Sequence, residues 1–315
     1  KILKLRFNKE LKIGIKLVQK AIQITEWFRK KGFKSFLKSD QSPVTLADFA
    51  SQNYLISMLK DYFPDDEIIA EEESVDLIDE QAENLINECF SDLNLIDLDN
   101  IKENIGFRGL SSERQWTIDP IDGTIGFQEG LPYAVGVGLM INHIPKVCAI
   151  GVPNYNNFPF AIFCAEENQG AHVLYNNSDF IQIRVSQEAN IENIRLCHSL
   201  HYDKPWVKHF ATRVGIKNLI QLDSMKKFCM IADGSADLYL KPLKVDQSFS
   251  WDFLPGDLIV KESGGKVTDL NGEKLKFNNK KCIWTAPGII ASNGIVHNKI
   301  TDLLKSQNLD FFNQK

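Results

Sequence analysis

The stretch Trp116-Thr117-Ile118-Asp119-Pro120-Ile121-Asp122-Gly123-Thr124 constrains this chain more than any other. It begins as a short apolar strand and ends as a turn rich in carboxylates. Asp119 precedes proline, which holds it in extended geometry. Pro120 fixes its own backbone and brings no N–H. Asp122 falls at the bend, where Gly123 takes torsions closed to other residues. Two held carboxylates beside the Ile121 carbonyl form a set of hard oxygen donors. Such a set suits Mg²⁺, which often shares its shell with a phosphate. The N–H groups of Gly123 and Thr124 face outward at a helix start, where an anion is favoured. The same residue types also make ordinary polar turns, so the remainder of the chain has to discriminate.

With 315 residues, 43% hydrophobic and 24% charged, the chain is long enough for two domains or one large two-part domain. Its net charge of −5 gives no reason to expect a general nucleic-acid binder, although a local basic pocket is compatible with it. Cys89, Cys148, Cys164, Cys197, Cys229 and Cys282 are scattered without zinc spacing and fit buried thiols in a reducing compartment. No apolar run reaches membrane-spanning length, and there is no signal-peptide pattern. A cytoplasmic protein is expected. The chain starts at Lys1 rather than Met, which leaves its true N-terminus open.

Apolar residues from Phe7 through Ile22 and Trp27 recur at helical steps. Thr45, with Asp48 three residues later, has capping-box spacing for a second helix running to about Tyr62. Ile68–Ala70 reads as a strand, residues 75–112 as an acidic exposed excursion with helix from Ile78 to Phe90. Tyr133–Val152 reads as a hairpin turning at Asn142-His143, Phe158–Leu174 as another, and Ile181–Val185 as a closing strand. From about Ile194 strands and helices alternate, including helices Lys204–Val214, Met225–Asp233, Pro255–Ser263 and Val296–Leu304. Such alternation predicts a layered α/β half. The expected division is an N-terminal α+β half, 1–185, and a C-terminal α/β half, 186–315.

Carboxylates end apolar elements at four places: Asp48, Glu71-Glu72, Asp119 with Asp122, and Asp252 just before a helix. Each alone has a plain explanation, as a solvated charge run, an N-cap or a first-turn acid. Brought together, they would repel strongly unless cations bound between them.

In order along the chain, Asp48, Ala70-Glu71-Glu72, Asp119-Pro-Ile-Asp-Gly-Thr124, Trp251-Asp252 and Gly264-Gly265 resemble the signature of the lithium-sensitive, Mg²⁺-dependent phosphomonoesterases. That superfamily includes inositol monophosphatases, inositol polyphosphate phosphatases and 3′(2′),5′-bisphosphate nucleotidases. The resemblance covers nearly the whole chain and implies a layered α-β-α-β-α sandwich with the site between its halves. It implies two or three Mg²⁺ ions held by Glu71, Asp119, the Ile121 carbonyl, Asp122 and Asp252. It further implies that Gly123 and Thr124 hold the scissile phosphate, and that Thr124 and Asp48 orient and deprotonate the attacking water.

Within the superfamily, Lys38–Thr45 and Phe63–Glu67 are similar to the nucleotidase versions of these segments. Leu222-Asp223-Ser224-Met225-Lys226-Lys227 resembles the segment whose Ser and Lys contact the second phosphate, which points to Ser224 and Lys227. Lys241 stands where nucleotidases typically carry Arg and inositol monophosphatases Glu; it keeps the charge and loses the bidentate fork. Cys197-His198-Ser199 resembles the nucleotide-contacting histidine segment, so His198 is preferred over His201. The resemblance implies hydrolysis of 3′-phosphoadenosine 5′-phosphate to AMP and phosphate, clearing a by-product of sulfate transfer. An inositol mono- or polyphosphate phosphatase is the near alternative, and a non-catalytic phospholigand-binding regulator is one of another class. A monomer or weak dimer is expected, without nucleic-acid polymer or membrane as partner.

Overall fold

A computed structural model describes residues 8–95, 100–176, 178–202, 205–243, 248–283 and 288–306. Phe7, Lys204 and residues 96–99, on which three of the sequence readings fall, lie outside the described residues. Asn8 opens α1 (Lys9–Lys31) by accepting the Leu11 N–H at 2.7 Å, and Gly32 at φ 100° closes it. The short β1 (Ser35–Leu37) and β2 (Pro43–Thr45) pair as a ribbon leading into α2 (Leu46–Tyr62). Thr45 and Asp48 close the capping box that their spacing predicts. α2 is buried along most of its length, and its polar Ser51, Gln52 and Asn53 are buried with it.

β3 (Glu67–Ala70) leads to α3 (Glu80–Asp92) and α4 (Ile101–Gly106). These two helices correct the expectation of an exposed excursion. Ala82, Ile86, Cys89, Phe90, Ile101 and Ile105 enter the same core as α1 and α2. The acidic residues sit on the opposite face, which hides an amphipathic pattern in composition alone.

β4 (Arg114–Asp122) pairs in parallel with β3 and precedes the short α5 (Thr124–Gln128). Then β5 (Ala134–Ile141), β6 (Ile144–Tyr155), β7 (Phe158–Glu166), β8 (Ala171–Tyr175) and β9 (Ile181–Gln182) continue as one antiparallel meander. The two expected hairpins are therefore parts of a single seven-stranded sheet, ordered β3-β4-β5-β6-β7-β8-β9. Asn142 and His143 turn at φ 51° and 63°, as the turn of β5–β6 requires. The expected last strand is shorter than its sequence suggested: past Gln182 the chain leaves the sheet, and the Val185 N–H donates to the Ser263 carbonyl at 3.1 Å.

The second half runs β10 (Arg195–His198), α6 (Pro205–Val214), β11 (Asn218–Gln221), α7 (Lys226–Ala232), β12 (Leu238–Pro242), α8 (Ser250–Glu262), β13 (Lys266–Thr268), the small pair β14 (Lys276–Asn278) and β15 (Lys281–Ile283), β16 (Gly288–Ser292) and α9 (His297–Ser306). Its five-stranded sheet has the order β11-β10-β12-β16-β13. α1 and α2 cover one face of the large sheet, while α7 and α8 lie between the two sheets. α6 and α9 cover the outer face of the small sheet through Trp206, Phe210, Ile300 and Leu304. The result is a five-layered α-β-α-β-α sandwich.

One helix starts earlier than its sequence suggests. Pro255 looks like a first-turn proline, yet it lies inside α8, and Asp252 belongs to the first turn rather than preceding the helix. Gly136 and Gly138 of β5 leave the space that the side chains of Met225 and Leu254 fill, with Pro255 in ordinary contact beside them.

Candidate active site

A regular strand points residues i and i+3 to opposite faces. β4 avoids this. Asp119 pairs with Gly136 and Asp122 with Ala134, so three steps on β4 match two on β5 through a bulge. Asp119 and Asp122 therefore share a face. Gly123, in the left-handed region at φ 91°, then turns the chain into α5. Asp252 reaches the same place from the first turn of α8, and the three aspartates offer oxygens within 4.8 Å of one another. Glu71 follows β3, where its N–H donates to the Ile118 carbonyl at 3.2 Å, and its side chain lies against Asp119.

Asp48 supplies the next element. Its Oδ2 accepts the Thr45 N–H at 2.8 Å and the Thr45 hydroxyl at 2.6 Å. Its Oδ1 accepts the Thr124 hydroxyl at 3.3 Å, and the Thr124 Oγ1 lies 3.2 Å from the Ile121 carbonyl oxygen. α2 also fixes the surrounding backbone. Ser51 donates to the Pro120 carbonyl at 3.1 Å, and the Gln52 amide exchanges two hydrogen bonds with the Glu72 backbone.

Burial pushes the Asp119 carboxyl well up, with Glu71, Asp122 and Asp252 adding to the effect. Burial, Asp122 and Glu71 do the same to Asp252. Burial raises Asp122 to about 6 against the pull of Lys227 and Lys241, and raises Asp48 to about 7 against its bonds from Thr45. Lys38 answers part of this charge. Its Nζ lies 3.1 Å from both Glu71 Oε1 and Glu72 Oε1. Asp119 Oδ1 is buried without a hydrogen-bond partner among the described residues. An orphaned carboxylate oxygen inside an all-oxygen cluster fits a hard divalent cation.

Beside the cluster stands a second, cationic group. Lys227, on α7 and 2% exposed, donates to the Leu222 carbonyl at 3.2 Å and lies 5.1 Å from the Tyr239 ring. Burial and then Lys241 lower its pKa to about 8, against the pull of Asp122. Ser224 adopts φ 73°, and its Cβ would stand 3.3 Å from a Cβ built at Gly123. The absent Gly123 side chain lets these two loops meet. His198 ends β10 and is 1% exposed, whereas His201 stands at the rim between Glu129 and Asp223. The expected residues thus gather around one region, which His198 joins through its carbonyl, an acceptor of the Leu222 N–H at 3.1 Å. Lys38 as a partner of Glu71 and Glu72, and the Glu129–His201–Asp223 chain, were not foreseen. Their only signal in the sequence is the presence of charged residues in loops.

The layered fold has at its centre a carboxylate cluster that could hold a divalent metal. Residues 8–308 match the inositol monophosphatase family, and the chain belongs to that family. It is 32% identical to the 3′(2′),5′-bisphosphate nucleotidase of Emericella nidulans, over 95% of this chain and 98% of that one. It is 31% identical to the 3′(2′),5′-bisphosphate nucleotidase of Schizosaccharomyces pombe, over 94% and 95%. Among solved structures, a Thermotoga maritima IMPase superposes with a TM-score of 0.71 at 24% identity, over 95% of this chain and 98% of that one. No described helix is long and apolar enough to cross a membrane.

Proposed function

We propose that this chain is a 3′(2′),5′-bisphosphate nucleotidase that removes the 3′-phosphate of 3′-phosphoadenosine 5′-phosphate to give AMP and phosphate. The observation that carries this reading is the placement of Lys227 and Lys241 within electrostatic reach of Asp122. A monophosphate needs only the metal cluster and the Gly123-Thr124 turn. A second, unreacting phosphate needs a cationic partner in a partly desolvated place, and these two lysines supply one. The names of the fungal relatives agree with this substrate.

Glu71, Asp119, the Ile121 carbonyl, Asp122 and Asp252 would hold two or three Mg²⁺ ions. When bound, magnesium supplies positive charge at the phosphate oxygens and lowers the pKa of water. The backbone N–H groups of Gly123 and Thr124 bind the scissile phosphate. The Thr124 hydroxyl, donating to Asp48 Oδ1, orients the attacking water through its own lone pair. Asp48 takes up the proton at Oδ1. Thr45 holds its other oxygen, so the acceptor cannot rotate away.

Phosphate release with Mg²⁺, measured side by side on 3′-phosphoadenosine 5′-phosphate and inositol 1-phosphate, tests the reading. A higher kcat/KM on the nucleotide is expected, with inhibition by LiCl relative to KCl at equal ionic strength. A preference for inositol 1-phosphate would make the chain an inositol phosphatase. No turnover of either would make it a phospholigand-binding regulator, against which the Asp48–Thr124 bond stands. A cytoplasmic monomer or weak dimer that clears a by-product of sulfate transfer completes the proposal, with halves at 1–185 and 186–315.

A further inference from the structure

We propose that Tyr202 is the platform on which the purine base of the nucleotide stacks; this rests on the nucleotidase reading above. Tyr202 is 53% exposed, although it stands beside the charged centre of the protein. The Lys241 ammonium lies 5.7 Å from its ring centroid. Asp223, Glu71 and Asp122 are near enough to add to the effect of burial on its phenol. Its ring thus stands at the mouth of the site, beside a lysine proposed to take the unreacting phosphate.

An exposed aromatic ring is useful as a platform only if its backbone is held. The preceding residue does this. His201 bridges Glu129, at 2.9 Å, and Asp223, on opposite sides of the mouth. The Leu200 N–H adds a bond to Asp223 Oδ1 at 2.9 Å. Leu200, itself 37% exposed, extends the apolar rim. A sugar phosphate or an inositol phosphate has no flat face to lay on such a rim. A purine has two, and stacking on an aromatic side chain tolerates the base's exact hydrogen-bonding pattern.

The test compares wild type, Tyr202→Ala, Tyr202→Phe and Tyr202→Trp on 3′-phosphoadenosine 5′-phosphate and on base-free ribose 3,5-bisphosphate. Tyr202→Ala is expected to lower the ratio of kcat/KM values, nucleotide over base-free, by about tenfold, mainly through KM. Tyr202→Phe is expected to keep the ratio. In Tyr202→Trp, AMP is expected to quench indole fluorescence beyond the quench seen in wild type. If Tyr202→Ala keeps the wild-type ratio, or Tyr202→Trp shows no added quench, the base lies elsewhere, while a wild type that prefers the nucleotide remains a nucleotidase. A wild type that prefers inositol 1-phosphate overturns both readings.

Discussion

The backbone N–H of Met225 donates to the carboxylate of Asp122. Asp122 ends β4 in one half of the molecule, and Met225 precedes α7 in the other. A carboxylate of the acidic cluster is therefore oriented by main chain from the other half, at the base of the loop that carries Ser224 and Lys227. Because the donor is backbone, no substitution at Met225 other than proline removes it. Asp122→Asn keeps the size of the side chain but loses its charge. Losing an outer partner of a metal ligand typically costs about 10–100-fold, so loss of the ligand itself should cost about a hundredfold or more in kcat/KM. Titration calorimetry should show weaker Mg²⁺ binding with unchanged far-UV dichroism; unchanged affinity would exclude Asp122 as a ligand.

The raised carboxyls make metal-free stability depend on pH with a definite sign. Asp48 and Asp122 move from 3.8 to about 7 and about 6 on folding, and Asp119 and Asp252 move in the same direction. The folded state binds more protons than the unfolded one across this window, so stability falls as pH rises from about 4 to about 7. Mg²⁺ bound among these carboxylates would replace those protons. Its addition should raise Tm more at pH 8 than at pH 5.5 in differential scanning calorimetry. An equal shift at both values would mean that these carboxyls do not bind the metal.

Lys227→Ala should lower kcat/KM on 3′-phosphoadenosine 5′-phosphate about ten- to a hundredfold, which corresponds to about 1.5–3 kcal/mol for a lost charge-assisted contact. Lys241→Glu should cost more, because repulsion replaces attraction. 2′-AMP and inositol 1-phosphate lack the second phosphate and should lose much less. An equal fall on every substrate would show that the two lysines serve the fold alone.

Arg29 lies far from the carboxylates in sequence yet supports the helix that follows the Gly123-Thr124 turn. Its Nη2 donates to the Leu131 carbonyl at 2.8 Å and the Phe127 carbonyl at 3.3 Å, and its guanidinium lies 4.9 Å and 4.6 Å from the Phe127 and Tyr133 ring centroids. It thereby caps the C-terminal end of α5, whose other end is Gly123-Thr124. Arg29→Leu should cost about 1.5–3 kcal/mol in urea denaturation. A cost near zero would mean that α5 is held without it.

How much of this could be read in the chain depended on the distance over which each constraint acts. Asp119 and Asp122 were legible because Pro120 and Gly123 constrain them within a few residues. The Thr45–Asp48 pair was legible because capping acts over one helical turn. Lys38 meeting Glu71 and Glu72, Arg29 meeting Leu131, and Met225 meeting Asp122 are contacts made only by the fold, and local pattern carries no trace of them. Pro255 misled because a proline near a helix start usually marks the first turn. Inside α8 it packs against β5 beside Gly136 and Gly138, more than a hundred residues earlier in the chain. His198 and His201 lie too close in sequence for spacing to separate them, whereas their burial separates them at once.

The bulge in β4 has a use other than steering carboxylates. Two aspartates spaced i, i+2 on a flat strand would share a face without it. The extra residue instead releases main-chain carbonyls from the ladder between them, one taken by Ser51 and the other, from Ile121, turned toward Thr124. In the proposed metal site the insertion would add a neutral donor to a set whose every other member adds negative charge. Deleting Ile121 alone would keep both aspartates and their common face while removing that donor. Such a chain should bind Mg²⁺ more weakly in calorimetry although no acid is lost, and an unaltered affinity would mean that the carbonyl takes no part. A single uncharged peptide group, placed by a count of residues, would fill a ligand position there without adding a further charge to the carboxylates' mutual repulsion.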